Sequence, residues 1–374
     1  FVIAGATPSV HTWAKAVYSL KSWFVFLQVL EIYWTDATRE TRRSFRDAYT
    51  EGISPKTGQL YGAKGISDAM SIVRSFYAFS ERKNWYTGDL GSNSQEAEAE
   101  AGTGRRKDQK YSQSATQTKR DRDLPKIPNS EVIRPLSIGN LRKLLHYIGP
   151  SNKEADDTRE SRDRLAFDLG WVVGLRLDEV INLSTLQFLG LDPNPDTVSV
   201  DLSLTVLGKG KKQGTVAIPT WLVLDIIEYI DGERKDAIEH RKNKTKPASL
   251  QLFVGKRSSL NRTGLPIGAD AIQKIMRTAC LSLGIVRVVH KKNLATKEGY
   301  EVVCPKHSFH DLRHTFAVCR YHVEVALGNP EPWKKIQAQL RHQDLSTTTQ
   351  TYLSHVEIFN DSRGVADVRK MLGL

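Results

Sequence analysis

Between Cys304 and Val356 the chain reads C-P-K-H-S-F-H-D-L-R-H-T-F-A and, further on, L-R-H-Q-D-L-S-T-T-T-Q-T-Y-L-S-H-V. His310 and Arg313 stand three apart, one helical turn, so a helix would project both side chains toward one point. An imidazole beside a guanidinium suits an anion. His342 precedes a helix-start signal in which Asp344 or Ser346 can cap, and Tyr352 falls on the short helix expected next. A histidine, an arginine and a tyrosine on separate elements are the parts of a phosphoryl-transfer site whose nucleophile is a phenol. Taken singly, Tyr352 reads as core, and His307, His314 and His355 read as histidines satisfied by hydrogen bonds.

The elements that must position these residues follow from apolar periodicity. Trp13 to Leu30 has helical spacing, Trp34 to Tyr49 is a polar, Arg-rich helix, and after the break at Ile53-Ser54-Pro55 an amphipathic helix runs from Gly65 to Trp85. Residues 88–130 are polar and charged and cannot bury enough surface to fold alone, so they read as a linker, partly helical at Gln95–Ala101. Helical periodicity resumes over Leu136–Ile148 and Arg159–Val173, where Gly174 stops it and Arg176 opens a new turn. The stretch from Asp196 to Pro219 alternates, turns at Gly208-Lys209-Gly210 and returns as a short antiparallel sheet. A helix starts at Pro219 or Thr220, another covers 268–284, and 286–303 reads as an added hairpin.

A chain of 374 residues predicts two domains, or two plus an extension. Lys plus Arg outnumber Asp plus Glu by 54 to 42, a formal charge of +12. That surplus favours a polyanionic partner, with a generically basic surface as the plain alternative. Cys280, Cys304 and Cys319 have neither metal-ligand spacing nor a disulfide framework and read as reduced thiols of a cytosolic protein. No apolar run reaches the roughly 18 residues of a membrane span. The chain begins with Phe1 in place of Met, which points to a missing or processed N-terminus.

H-D-L-R-H followed by L-R-H and T-Y resembles the signature of the tyrosine recombinases, the phage-integrase family. G-L-R-L-D-E-V at 174–180 resembles that family's first-arginine box, and L-G-K-G-K-K-Q-G-T-V-A-I-P at 207–219 its lysine-bearing hairpin. Four boxes in family order across most of 131–360 make the resemblance specific. It departs at Arg341, where the family has glycine, and a side chain leaves that backbone less permissive. The resemblance implies a mainly α fold. Residues 1–87 would be an N-terminal helical bundle, the core-binding domain, and 88–130 the linker. Residues 131–374 would be a mostly helical catalytic domain with a small antiparallel β-sheet and a C-terminal exchange tail from about 356.

The implied activity is cutting and rejoining of double-stranded DNA through a 3′-phosphotyrosyl intermediate, without metal, cofactor or ATP. Displacement at a phosphodiester builds charge on the non-bridging oxygens, and Arg176 and Arg313 supply planar forks aimed at it. Tyr352, with an ordinary pKa near 10, must lose its proton as it attacks. His310 would accept that proton or orient the phosphate, Lys209 would protonate the leaving 5′-oxygen with Lys211 or Lys212 as substitutes, and His342 would hydrogen-bond the phosphate. Glu179 would tether the first arginine or histidine. Arg39, Arg42, Arg43, Arg46, Lys64, Lys211 and Lys212 are candidate DNA contacts, with a solvated helix face the alternative for each of the first five.

The implied partners are paired DNA sites held by a homotetramer, which accessory DNA-bending or directionality proteins could join. The implied setting is the cytoplasm and nucleoid of a prokaryote, phage or other mobile element. A type IB topoisomerase shares the chemistry but acts as a monomer, and a DNA binder that has lost catalysis shares the fold. The apolar tail and the N-terminal bundle argue against the first, and six intact candidate side chains against the second.

Overall fold

The computed structural model describes residues 10–90, 123–125, 133–151, 159–197, 200–208, 212–242, 244–245 and 247–342, together with Thr349 and Tyr352. The chain forms two compact units, Phe1–Asn129 with Val289–Val302, and Ser130–Val288 with Val303–Leu374. The hairpin segment Val289–Val302 is thus grouped with the N-terminal residues, which a division into consecutive stretches does not express. Among the described residues no helix is long and apolar enough to cross a membrane.

In the first unit α1 (Val10–Val29), α2 (Arg39–Glu51) and α3 (Ala63–Arg82) enclose a core of Trp23, Leu27, Phe45, Met70, Val73 and Tyr77. Trp23 donates its indole N–H to the Tyr77 hydroxyl at 3.1 Å, which in turn donates to the Trp34 carbonyl at 2.8 Å. Two buried aromatics thereby keep their polar atoms satisfied. The helix expected from Trp34 begins only at Arg39. Thr38 caps it, its side chain accepting from the Thr41 N–H at 3.3 Å while the Thr41 hydroxyl accepts from the Thr38 N–H at 3.1 Å.

The second unit is built around α5. Its order is α4 (Ile138–Ile148), α5 (Arg162–Trp171), α6 (Leu177–Ile181), α7 (Thr185–Leu189), strands β1 (Asp201–Leu207) and β2 (Gln213–Pro219), then α8 (Thr220–Tyr229). A π turn over Ile230–Arg234 carries α8 on into α9 (Lys235–Glu239). There follow α10 (Ala269–Ser282), α11 (His310–Ala326) and α12 (Pro332–Leu340); between α10 and α11 come strands β3 (Val286–Lys292) and β4 (Gly299–Pro305), most of whose residues fall in the segment Val289–Val302 grouped with the first unit. All ten residues of α5 are buried, charged ones included. They are tolerated because they are paired: Arg164 holds Asp168 at 3.0 Å, and Trp171 donates to the same carboxylate at 2.6 Å.

β1 and β2 pair antiparallel from Asp201 opposite Pro219 to Leu207 opposite Gln213. Leu204, Val206, Val216 and Ile218 point inward and the residues between them outward, the period of two that the sequence shows. Only the start differs, since Pro195–Thr197 is a 3-10 turn and not strand. The second small sheet is β3 with β4. The fold is mainly α with small antiparallel sheets, as expected.

Candidate active site

The corner between α5 and α6 fixes Arg176. Gly174 sits at φ +78°, and a Cβ there would lie 2.6 Å from Phe316 Cδ1, so glycine is required by both backbone and space. The corner ends with Arg176 as the N-cap residue of α6. Glu179, three residues on and 3 % exposed, accepts from the Arg176 backbone N–H at 2.9 Å and from its Nη1 at 3.0 Å. Burial pushes the Glu179 carboxyl up. The Arg176 N–H and the charges of Arg341 and Arg176 outweigh it and hold the group below the usual carboxylate range.

On α11, His310 is exposed at the first position and Arg313, one turn later, is buried at 2 %. Asp311 anchors the start of this helix by accepting from the Ser308 N–H at 2.8 Å. Arg313 donates Nη1 to the Gly174 carbonyl and Nη2 to the Leu340 carbonyl at 2.5 Å, and Nη2 lies 3.3 Å from His342 Nε2. One guanidinium thus joins the α5–α6 corner to the end of α12. Burial, and then the neighbouring Arg176, lower the Arg313 pKa to about 9, which leaves it a cation at neutral pH.

Residues 340–342 run through the same centre. Arg341 caps α12 in the left-handed region, φ 55° and ψ 44°. Its Nη2 lies 2.6 Å from Glu179 Oε2. Burial, followed by the charges of Arg313, Arg176 and His310, pushes His342 down to about 4. A neutral imidazole facing the Arg313 donor with Nε2 carries its proton on Nδ1. Gln339 ties α12 to both neighbours: it accepts from the Ala217 N–H at 2.9 Å and donates to the carbonyls of Ala217 at 2.8 Å and Val173 at 3.0 Å.

Tyr352 is helical and 1 % exposed, packed with Phe316, Ile336 and Leu340. Its hydroxyl is hydrogen-bonded to His314 Nδ1 at 3.0 Å. His310 stacks edge-on against His314, ring centroids 4.6 Å apart. Arg176, Glu179, His310, Arg313, His342 and Tyr352 therefore share one cluster of contacts, to which the structure adds His314 and Arg341. Lys209 and Lys211, the caps Asp344 and Ser346, His355, the linker helix Gln95–Ala101 and the tail from 356 lie outside the described residues. Lys212 is exposed, and its carbonyl accepts from the Gly208 N–H at 2.8 Å to close the hairpin. Among the described residues, no three His, Cys, Asp or Glu side chains group in a way that could hold a metal ion.

The candidate DNA contacts of α2 are placed differently. Arg39, Arg42 and Arg43 bind the Asp123 carboxylate at 2.9, 3.1 and 2.9 Å, and Arg46 reaches the Asp123 carbonyl at 3.3 Å. Arg42 is 2 % exposed, so its guanidinium belongs to the interior of this unit. Lys64 is exposed near the start of α3.

The sequence pattern of the phage integrase family matches residues 140–357, more than half of the chain and the whole of this cluster. The chain belongs to the phage integrase family. Among relatives, it is 28 % identical over 198 residues to the tyrosine recombinase XerA of Thermococcus onnurineus, covering 49 % of this chain and 62 % of that protein. It is 24 % identical over 305 residues to the tyrosine recombinase XerD of Staphylococcus aureus, covering 81 % and 76 %. The chain thus spans less than two thirds of the Thermococcus relative. Two solved structures share the fold. One is a XerH site-specific recombinase in a post-cleavage complex with palindromic difH substrate (TM-score 0.55, 13 % identity, 95 % of this chain and 79 % of that one). The other is lambda integrase, residues 75–356, bound to DNA (TM-score 0.53, 14 % identity, 97 % and 95 %).

Within this family cluster, sequence reasoning left two residues aside. His314 lies one turn beyond His310 and next to Arg313, a spacing that already puts it on the edge of the same helix face. Arg341 was visible as an arginine at a position expected to be glycine; its contact with Glu179 depends on tertiary structure alone.

Proposed function

We propose that this protein is a site-specific DNA recombinase or integrase that cuts and rejoins double-stranded DNA through a 3′-phosphotyrosyl intermediate. The observation that carries this reading is that the buried Tyr352 hydroxyl is hydrogen-bonded at 3.0 Å to His314 on the helix that also bears His310 and Arg313, while Arg313 reaches both the corner that carries Arg176 and the imidazole of His342. Arg176 and Arg313 would grip the non-bridging oxygens, where charge grows most in the transition state. The Tyr352 oxygen would form a bond to phosphorus as the bond from phosphorus to the 5′-oxygen breaks. Two imidazoles can take up the phenolic proton, His310 and His314, and the hydrogen bond favours His314 as the first acceptor. Neutral His342 would offer its Nδ1–H to a phosphate oxygen. Lys209 would return a proton to the 5′-oxygen. Reversal by another 5′-hydroxyl exchanges strands without an external energy source, because the ester keeps the energy of the broken bond.

Strand exchange needs two sites, so a homotetramer on paired DNA follows from the same reading. The two-domain layout proposed from sequence, a DNA-clasping bundle and a catalytic domain joined by residues 88–130, fits it. The apolar pattern of the tail after Tyr352 suits docking between protomers, which would couple cleavage to assembly. Trapping covalent protein–DNA adducts from fragmented DNA and sequencing them tests the proposal. Adducts concentrated at a discrete sequence are expected. Adducts spread without preference, together with relaxation of supercoiled plasmid, would assign topoisomerase activity instead.

A further inference from the structure

Glu179 is buried between two guanidiniums, and only one of them belongs to the expected site. Oε1 accepts from Arg176 Nη1, while Oε2 takes the Arg176 backbone N–H and also lies 2.6 Å from Arg341 Nη2. Two local features of the chain make room for that second arginine. Arg341 occupies the left-handed backbone region at φ 55°, where an L side chain is disfavoured. Opposite it on β2, Gly214 leaves a gap: a Cβ there would stand 2.7 Å from Arg341 Cδ. The residues on either side of Arg341 both meet Arg313, Leu340 through its carbonyl and His342 through Nε2.

We propose that Arg341 is a positioning residue for cleavage: by holding Glu179 Oε2 it keeps Arg176 presented to the phosphate, and it locks the turn that carries His342. A buried carboxylate facing a single arginine draws that arginine into a bidentate fork. With Arg341 on Oε2, Arg176 spends one guanidinium nitrogen, Nη1, on Glu179, and its side chain stays 37 % exposed. The charge balance changes in the same direction. Arg176, Arg313 and Arg341 against Glu179 leave two positive charges in the centre, whereas without Arg341 one remains. Lowering of the Glu179 and Arg313 pKa values by Arg341 agrees with its closeness to both.

This inference rests on the recombinase reading, and the test separates the two. The probe is a pool of nicked duplexes of randomised sequence, with covalent adduct formation followed under single-turnover conditions and pool binding measured alongside. Arg341→Gly removes the charge and also relieves the left-handed strain. It should therefore unfold in urea no earlier than the wild type, form adduct at least tenfold more slowly and bind the pool within twofold of the wild type. Arg341→Lys should recover rate to within about threefold of the wild type, and Gly214→Ala, which displaces the Arg341 stem, should slow cleavage with the charge intact. Cleavage by Arg341→Gly within twofold of the wild type overturns the proposal. So does a rate loss that follows a lowered urea midpoint, or one matched by an equal loss of binding. Failure of the wild type itself to form any adduct overturns the recombinase reading and this inference with it.

Discussion

Arg176 and Arg313 have different surroundings, and this decides what their loss should do. Arg176 is partly exposed on a carboxylate tether, whereas Arg313 is buried and supports two carbonyls and His342. Removing one transition-state donor costs about 3–4 kcal/mol, a factor of roughly 10²–10³ in rate. Arg176→Ala should show that loss in adduct formation with DNA binding little changed, because many other cations hold the backbone. Arg313→Ala should show the same loss together with lower stability, since it leaves the Gly174 and Leu340 carbonyls unsatisfied. A binding loss equal to the rate loss for Arg176→Ala, read from filter binding, would make it an ordinary phosphate contact. His342 gives a pH signature. Its folded pKa, about 4, lies below the ordinary 6.5, so the unfolded chain takes up the proton first. Stability should fall as pH drops from 6.5 toward 4, and that slope should flatten in His342→Asn. Urea midpoints at pH 7, 5.5 and 4.5 measure it; equal slopes in both proteins would contradict the lowered pKa of this half-buried ring.

At the scale of elements, the site depends on one corner. Gly174→Ala combines a disfavoured backbone region with a Cβ 2.6 Å from Phe316 Cδ1, and together these should cost about 2–4 kcal/mol. The shift would also move the carbonyl that Arg313 holds, so adduct formation should fall with stability; an unchanged urea midpoint would show that the corner adapts. Such a corner was legible in the sequence because Gly174 interrupts a helical period just ahead of Arg176. So were the alternating strands, the placing of His310 and Arg313 on one helix face and the relative order of the boxes, all of which are local patterns. The onset of α2 was misplaced because its start signal is the side chain of Thr38, not a change in apolar spacing. The bond between His314 and Tyr352 spans 38 residues and depends on how the segment bearing the tyrosine packs, which no periodicity encodes. The Arg341 contact with Glu179 was hidden for the same reason.

For the whole molecule, the surplus of 54 basic over 42 acidic residues pointed toward a polyanion without saying which cations would meet it. Four arginines of α2 illustrate the gap. From sequence they form a basic face at helical spacing, yet they converge on Asp123, which is 81 residues from Arg42. Burial pushes the Asp123 carboxyl up, but the hydrogen bonds and then the charges of Arg39 and Arg43 outweigh it and hold the group down at about 2. Net charge therefore speaks for the chain as a whole, and the burial of each arginine decides its own part. The account as a whole rests on the phenol of Tyr352 becoming the covalent link to DNA. Digesting the trapped adduct with protease and nuclease and sequencing the modified peptide by mass spectrometry tests this directly. A 3′-nucleotide mass on Tyr352, with no adduct from Tyr352→Phe although that variant still binds DNA, is the predicted result. A nucleotide on another tyrosine, such as Tyr321 further along α11, or an adduct that persists in Tyr352→Phe, would contradict it.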